Sequence, residues 1–176
     1  MSDIRIVACN YEDHGAAVLA ILNDAILTST ALFDYEPRSA ETMVEWFRAK
    51  RAHGYPVIGA ESADGTLLGF ATFGSFRAWP AYKYSVEHSI YVHRDQRRRG
   101  VALVLMRRLI ELAKEQRYHT LVAGIDAANA PSIALHEKLG FHHAGTVRDA
   151  GFKFGRWLDL AFYQLLLPTP VDPRDG

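Results

Sequence analysis

Apolar and polar residues alternate over residues 4 to 8 (IRIVA), the period of a half-buried strand. The spacing then becomes helical, with Val18, Leu19, Ile21, Leu22, Ala25 and Ile26 on one face and Asp13 as the expected N-cap. This helix is expected to fray near Thr28 to Thr30, which either cap it or reach a substrate, and residues 31 to 38 (ALFDYEPR) read as a loop. Ser39 opens a second helix with an imperfect capping box near Glu41 and Thr42. Met43, Trp46 and Phe47 share one face of it, and Gly54 stops it. The runs 57 to 62 (VIGAES) and 66 to 73 (TLLGFATF) flank Asp64-Gly65, a hairpin signal, and read as an antiparallel pair.

A further strand is expected over residues 86 to 93 (VEHSIYVH), then an arginine-rich turn, then an amphipathic helix from Val101 to Gln116 carrying Leu103, Met106, Leu109, Ile110 and Ala113. Residues 120 to 125 (TLVAGI) form a short buried strand, and 130 to 140 (APSIALHEKLG) a helix closed by Gly140. Two last strands fill 143 to 167, with a break at Ala150 and Gly151. The order β α α β β β α β α β β specifies an α/β (α+β) fold. After Leu167, the proline-rich PTPVDPRDG (168 to 176) is expected to be a tail without regular structure, leaving 1 to 167 as one domain.

Charge changes the picture by subtraction. Twenty basic residues balance twenty acidic ones, so no net field recruits nucleic acid or an anionic membrane surface. One cysteine, Cys9, forms no intramolecular disulfide and offers no metal-binding pair, so it reads as packing and no metal is expected. Charges at Asp3, Arg5, Glu12 and Asp13 interrupt any signal-peptide core, and no apolar run reaches the ~20 residues of a membrane span, so a cytoplasmic location is expected.

The candidate chemistry lies where a strand meets a helix. In HRDQRRRGVALVLMRRL (93 to 109), Arg97, Gly100 and Ala102 fit the spacing Arg/Gln-x-x-Gly-x-Gly/Ala. A helix starting there presents unpaired backbone N–H groups and a positive dipole end to a diphosphate, with only small residues in the way. Arg97, Arg98 and Arg99 add cationic attraction. Taken alone the run equally suits a solvated turn or an RNA-contacting patch. It lacks the Gly-Lys-Ser/Thr of a Walker loop and the third glycine of a dinucleotide fingerprint. Downstream, Asn129 caps a helix in which Ile133, Leu135 and Leu139 pack and Gly140 turns the chain into Phe141.

Together these segments resemble the acetyl-CoA motifs of the GNAT superfamily, whose second motif runs Asn-x-x-Ser/Ala-x-x-Leu-x-x-x-x-Gly-Phe. Within it, VEHSIYVH, ALHEKLGF and KFGRWLDL are similar to the phosphinothricin and methionine sulfoximine N-acetyltransferases, over residues 4 to 167. The resemblance implies a mixed, mostly antiparallel, twisted sheet of about seven strands flanked by about four helices. It also implies splayed central strands at 86 to 93 and 120 to 125, acetyl-CoA as cosubstrate, a small-molecule amine as substrate, and a homodimer. Ile90, Tyr91 and Val92 would meet the pantetheine arm. Arg97, Arg98, Arg99, Gly100, Val101, Ala102 and Leu103 would cradle the diphosphate, with Asn129, Ser132 and His136 also on the cofactor.

Acetyl transfer needs a neutral amine, so a base must remove a proton, directly or through water. Glu87 is the candidate base, and its other reading is a carboxylate paired to an arginine. Strand alternation puts Glu87, Ser89 and Tyr91 on one face, with His88 and Ile90 on the other. The backbone N–H of Tyr91 or Val92 is the candidate to stabilise the oxyanion. His136 stands where many relatives carry a tyrosine acid, so the thiolate's proton donor is either His136 or another group. Arg77 is the candidate anion clamp, with Ala78 in the same loop and Trp79 and Phe33 as apolar walls. Glu87, His88 and Ser89 complete the substrate set, while Tyr82, Lys83, Lys153 and Arg156 are weaker candidates. A peptide N-terminal acetyltransferase and a non-catalytic acyl-CoA sensor are the alternatives.

Overall fold

The opening alternation becomes β1 (Arg5–Ala8), paired antiparallel with β2 (Val57–Glu61), in a computed structural model that describes residues 4–175. The first helix, α1 (Tyr11–Thr28), starts earlier than expected. Its N-cap is Asn10, whose side-chain oxygen accepts the N–H of Asp13 at 2.7 Å. Tyr11 is the cause: its ring packs on the core edge-on to Phe47, extending the apolar face one turn upstream and leaving Asp13 in the first turn, where its charge suits the dipole. The second helix, α2 (Ala40–Ala52), has a complete capping box, with Thr42 serving both bonds: its N–H donates to Ser39 Oγ at 3.3 Å and its Oγ1 accepts from Ser39 N at 2.9 Å.

Every residue of β2 and the first seven of β3 (Leu67–Ser75) are buried, which is why both read as continuous apolar runs. Gly65, at φ +83°, makes the turn between them. Then follow β4 (Ser85–Val92), α3 (Val101–Glu115), β5 (Thr120–Asp126), α4 (Ala130–Lys138), β6 (His142–Lys153) and β7 (Arg156–Leu166). The expected break at Ala150 and Gly151 is instead an irregularity inside β6, where the register shifts between Val147 and Gly151 and Asp149 takes φ +50°. The chain reverses four residues later, at Phe154 (φ +52°) and Gly155 (φ +73°), a two-residue turn with both φ positive.

The strands form one seven-stranded sheet in the order β1-β2-β3-β4-β5-β7-β6. A parallel ladder joins β4 to β5 and is three pairs long, from Ser85↔Thr120 to Glu87↔Val122. The chain divides into two compact units: one runs to Phe73 and resumes over Ser89–Leu109, and the other holds Gly74–His88 and the chain from Ile110 onward. In the first, Val18, Ile21, Leu22, Met43, Phe47, Val57, Leu67 and Phe70 make the core. In the second, β7 lies between β5 and β6, and Leu121, Phe141 and Leu158 are fully buried. The tail has no regular structure but is tied down: Leu167 N–H donates to His119 O at 2.7 Å and Thr169 Oγ1 donates to Tyr118 O. Among the described residues no helix is long and apolar enough to cross a membrane, and no cluster of His, Cys, Asp or Glu is arranged to hold a metal.

One lysine in the first unit carries a measurable cost. Lys50 Nζ donates to Phe73 O at 2.7 Å and lies 5.6 and 5.5 Å from the Trp46 and Tyr55 ring centroids, and burial pushes its pKa down to about 8. The unfolded chain binds this proton more tightly than the folded one, so Lys50 favours folding more as pH rises from about 8 to the unfolded value of 10.5. Urea unfolding of wild type and Lys50→Met at several pH values should show the wild type gaining on the variant across that window. A difference flat in pH would remove the assignment.

Candidate active site

Alternation along β4 sends Val86 and His88 into the interior and leaves Glu87 and Ser89 half-buried. Glu87 pairs with Val122, and two residues on is Gly124, where an added Cβ would lie 3.0 Å from Glu87 Oε1 and 3.3 Å from Leu160 Cδ1. A glycine is therefore what gives the carboxylate its room. Burial raises the Glu87 pKa, and the positive charge of Arg77 offsets part of that rise. Among the described residues no hydrogen bond or ion pair holds the Glu87 carboxylate, so its paired-carboxylate reading finds no partner within bonding distance. The group is partly desolvated, more basic than a surface glutamate, and open to an incoming donor. Gly124→Ala should lower kcat by about tenfold or more by displacing this carboxylate, with the fold retained by circular dichroism; an unchanged kcat would show that the close approach does not matter.

Arg77 is exposed and lies over the Phe76 ring, its Cζ 4.2 Å from the ring centroid, with Nη1 donating to Phe76 O at 2.9 Å. Its own carbonyl accepts from Ser75 Oγ at 2.8 Å, so both ends of the residue are fixed. Ala78 and Trp79 follow on the surface, Trp79 with 69% of its area exposed; Phe33, in the first unit, is also exposed.

His88 and His136 are inside the protein. Their rings stack at 5.0 Å between centroids, Phe141 packs edge-on to both, and their Nε2 atoms are 3.1 Å apart. The Ser132 carbonyl can only accept, so His136 Nδ1 is the protonated nitrogen of their 2.7 Å bond. With burial lowering both pKa values, the pair is neutral at neutral pH: His88 Nε2–H donates to His136 Nε2, leaving His88 Nδ1 buried without a partner. Both nitrogens of His136 are thus engaged inside the protein. Burial inside this pair also withdraws His88 from the surface that a substrate would touch.

The turn entering α3 is built for backbone display. Arg98 has φ +60° and Gly100 φ +83°, and an added Cβ at Gly100 would meet no protein atom within 4 Å. The first helical bond here is Val104 N–H to Gly100 O, so helix geometry leaves the N–H groups of Val101, Ala102 and Leu103 outside the α3 ladder. Arg97, Arg98 and Arg99 are exposed, and Arg99 donates to Gln96 Oε1 at 2.7 Å. An open glycine, idle amides and exposed guanidinium groups fit a diphosphate. Upstream, Ile90, Tyr91 and Val92 are half-buried, and an added Cβ at Gly69 would lie 2.7 Å from Tyr91 O. Arg94, which starts this turn, is paired with Asp24 of α1. In the second unit, Asn129 caps α4, its Oδ1 accepting from Ser132 N at 3.2 Å. Asp126, buried at the end of β5, accepts from Ala128 N at 3.0 Å and pairs with Arg156 at 3.3 Å, which shapes the turn that places Asn129.

Gly124, Asp24 and Asp126 are the site-shaping residues that the sequence reading missed. Only Gly124, a glycine inside a buried strand run, carried a signal, since such glycines often mark a close approach. Lys153 lies buried over Phe154 and Tyr82 and Lys83 lie exposed at the surface, so these weaker candidates divide between core and surface.

The model of the acetyltransferase (GNAT) family matches residues 20–141. An L-methionine sulfoximine/L-methionine sulfone acetyltransferase of Pseudomonas paraeruginosa is 42% identical over 172 residues, covering 95% of this chain and 100% of that protein. A phosphinothricin N-acetyltransferase of Streptomyces viridochromogenes is 36% identical, covering 90% of this chain and 86% of its own length. A GNAT superfamily phosphinothricin acetyltransferase from Sinorhizobium meliloti, solved in complex with acetyl-CoA, superposes with a TM-score of 0.91 at 30% identity, over 98% of this chain and 93% of that one. With a family match over most of the chain and relatives aligned end to end, the protein belongs to the GNAT acetyltransferases.

Proposed function

We propose that this chain moves the acetyl group of acetyl-CoA to the α-amino group of a small amino acid of the methionine sulfoximine, methionine sulfone or phosphinothricin type. The carrying observation is Glu87: a half-buried carboxylate with a raised pKa, given space by Gly124 and facing the field of Arg77. The names of the aligned relatives support the substrate class.

Glu87 accepts a proton from the substrate ammonium, directly or through a water, at Oε1 or Oε2. The freed amine attacks the thioester carbon, a C–N bond replaces the C–S bond, and CoA leaves as the thiol once it regains a proton. The idle amides at the start of α3, with Arg97, Arg98 and Arg99, hold the diphosphate. Ile90, Tyr91 and Val92 present backbone groups to the pantetheine arm, and Asn129 and Ser132 lie at the cofactor. Arg77 holds the substrate carboxylate, with Ala78 and Trp79 following it in the same loop. The buried His88–His136 pair shapes the interior behind β4.

A cytoplasmic homodimer is part of the same reading. Phe152, Phe154 and Trp157 expose 46%, 58% and 60% of their area around the β6–β7 turn, whereas Phe162 of the same aromatic run is half-buried and Tyr163 is buried. Light scattering at micromolar concentration that returns monomer mass refutes the dimer.

Thiol release from acetyl-CoA, measured with the three amino acids and with an N-terminally free peptide, tests the substrate class. Release with the amino acids and none with the peptide is expected. Activity on the peptide alone would select the peptide-acetylating alternative, and binding of acetyl-CoA with no release on any amine would select the sensor.

A further inference from the structure

A cavity of about 530 Å³ opens in the second unit where the tail crosses the end of α3 and the starts of β4 and β5. Its walls include Lys83, Tyr84, Arg117, Tyr118, Asp172 and Arg174. Tyr84 immediately precedes β4 and Tyr118 stands two residues before β5, so the cavity lies at the entry of the parallel pair, whereas Gly124 and Asn129 lie at the exit of β5.

Three features give it the character of a built site. The tail is fixed there by specific bonds: Tyr84 Oη donates to Arg174 O at 3.2 Å and accepts from Arg174 N at 3.1 Å, and His119 Nδ1 lies 2.9 Å from Thr169 O. Its charge is unbalanced. Three cations face one carboxylate, Asp172, whose bonds go to Arg174 at 3.0 and 3.2 Å, while Lys83 Nζ rests over the Tyr84 ring at 5.1 Å. Among the described residues no side-chain partner is recorded for Arg117.

Third, Arg117 occupies a backbone position that favours glycine. It has φ +64° in the turn closing α3, where its N–H donates to Lys114 O at 2.8 Å and Tyr118 N–H donates to Ala113 O at 2.9 Å. That is the paired-bond helix ending in which glycine is the usual residue at this position. An arginine here bears a conformational cost that its side chain does not recover through any bond among the described residues.

We infer that this cavity binds a small organic dianion, with Arg117 and Lys83 neutralising its two charges and the Tyr84 and Tyr118 faces covering its carbon frame. A volume of this order suits a small organic molecule and exceeds what a bare inorganic anion fills. The α3 C-terminal dipole opposes an anion, and Arg117 sits where it screens that end.

Isothermal titration with isophthalate as the probe, set against benzoate and inorganic phosphate, tests the inference on the full-length protein. Isophthalate should bind at millimolar or lower concentration and more tightly than either comparison ligand. Arg117→Gly should weaken it by about tenfold or more, while melting no lower than wild type, because glycine suits φ +64°, and keeping acetyl-transfer activity. Lys83→Gln should also weaken isophthalate. The inference fails if isophthalate gives no saturable heat, if Arg117→Gly binds it as wild type does, or if phosphate binds as tightly. Because acetyl transfer is measured on the same variants, failure here is distinguishable from failure of the proposed function.

Discussion

Glu87→Gln lowers kcat/KM by about 10²- to 10³-fold, the range expected when a positioned general base is lost, and leaves acetyl-CoA binding near the wild-type value. Glutamine keeps the size of the side chain and one hydrogen-bonding oxygen but cannot take the amine's proton. The same substitution should reshape the pH profile. Burial raises the Glu87 pKa above its ordinary 4.5, so in wild type kcat/KM rises with pH as the carboxylate ionises, and this acid limb should lie above the usual carboxylate range. Arg77→Gln removes the charge that opposes the rise and should move the limb further toward neutrality. In Glu87→Gln the limb should disappear. A Gln variant with wild-type kcat/KM across the pH range would return Glu87 to the role of a structural carboxylate.

The second large effect is expected at the start of α3. Gly100→Val places a β-branched residue at φ +83°, where such side chains are strained, and fills the one open position beside the idle amides. An added Cβ meets no protein atom there, so the loss should fall on the cofactor. The Kd for acetyl-CoA should rise by about tenfold or more, roughly 1.4 kcal/mol or above, while the unfolding midpoint drops by no more than a strained residue costs, about 1–3 kcal/mol. Gly100→Ala should show the same direction more mildly. Unchanged acetyl-CoA affinity in a folded Val variant would move the diphosphate away from this turn.

Much of the architecture was legible because periodicity changes sharply along this chain. The continuous apolar runs 57 to 62 and 66 to 73, the Asp64-Gly65 turn and the amphipathic run from Val101 each admit one reading, and the structure has β2, β3 and α3 there. The misreadings have local causes. Asp13 looks like a cap as well as Asn10 does, and the choice is made by Tyr11, whose aromatic ring reaches the core from a position outside the periodic stretch. Ala150-Gly151 has the composition of a turn, yet β6 resumes its pairing with β7 at Gly151 after a register shift, and the reversal uses Phe154-Gly155, a pair whose first member gives no turn signal.

The site divides in the same way. Gly100, the arginine run and Asn129 announce themselves by spacing because they lie close together in sequence, at the starts of α3 and α4. What surrounds Glu87 is long-range in sequence: Gly124 approaches its carboxylate from β5, and the partners of His136 are Ser132 and the distant His88. A histidine in place of the expected tyrosine was visible in the sequence. That both of its nitrogens are engaged inside the protein follows only from the packing of α4 against β4.

The account stands on acetyl transfer to an amino-acid amine, and the most direct measurement is the product itself. Purified protein, acetyl-CoA and L-methionine sulfone should yield the N-acetylated amino acid, identified by mass, in one-to-one stoichiometry with free CoA and strongly reduced in Glu87→Gln. CoA appearing without acetylated amino acid, or equal yields from wild type and Glu87→Gln, would contradict it.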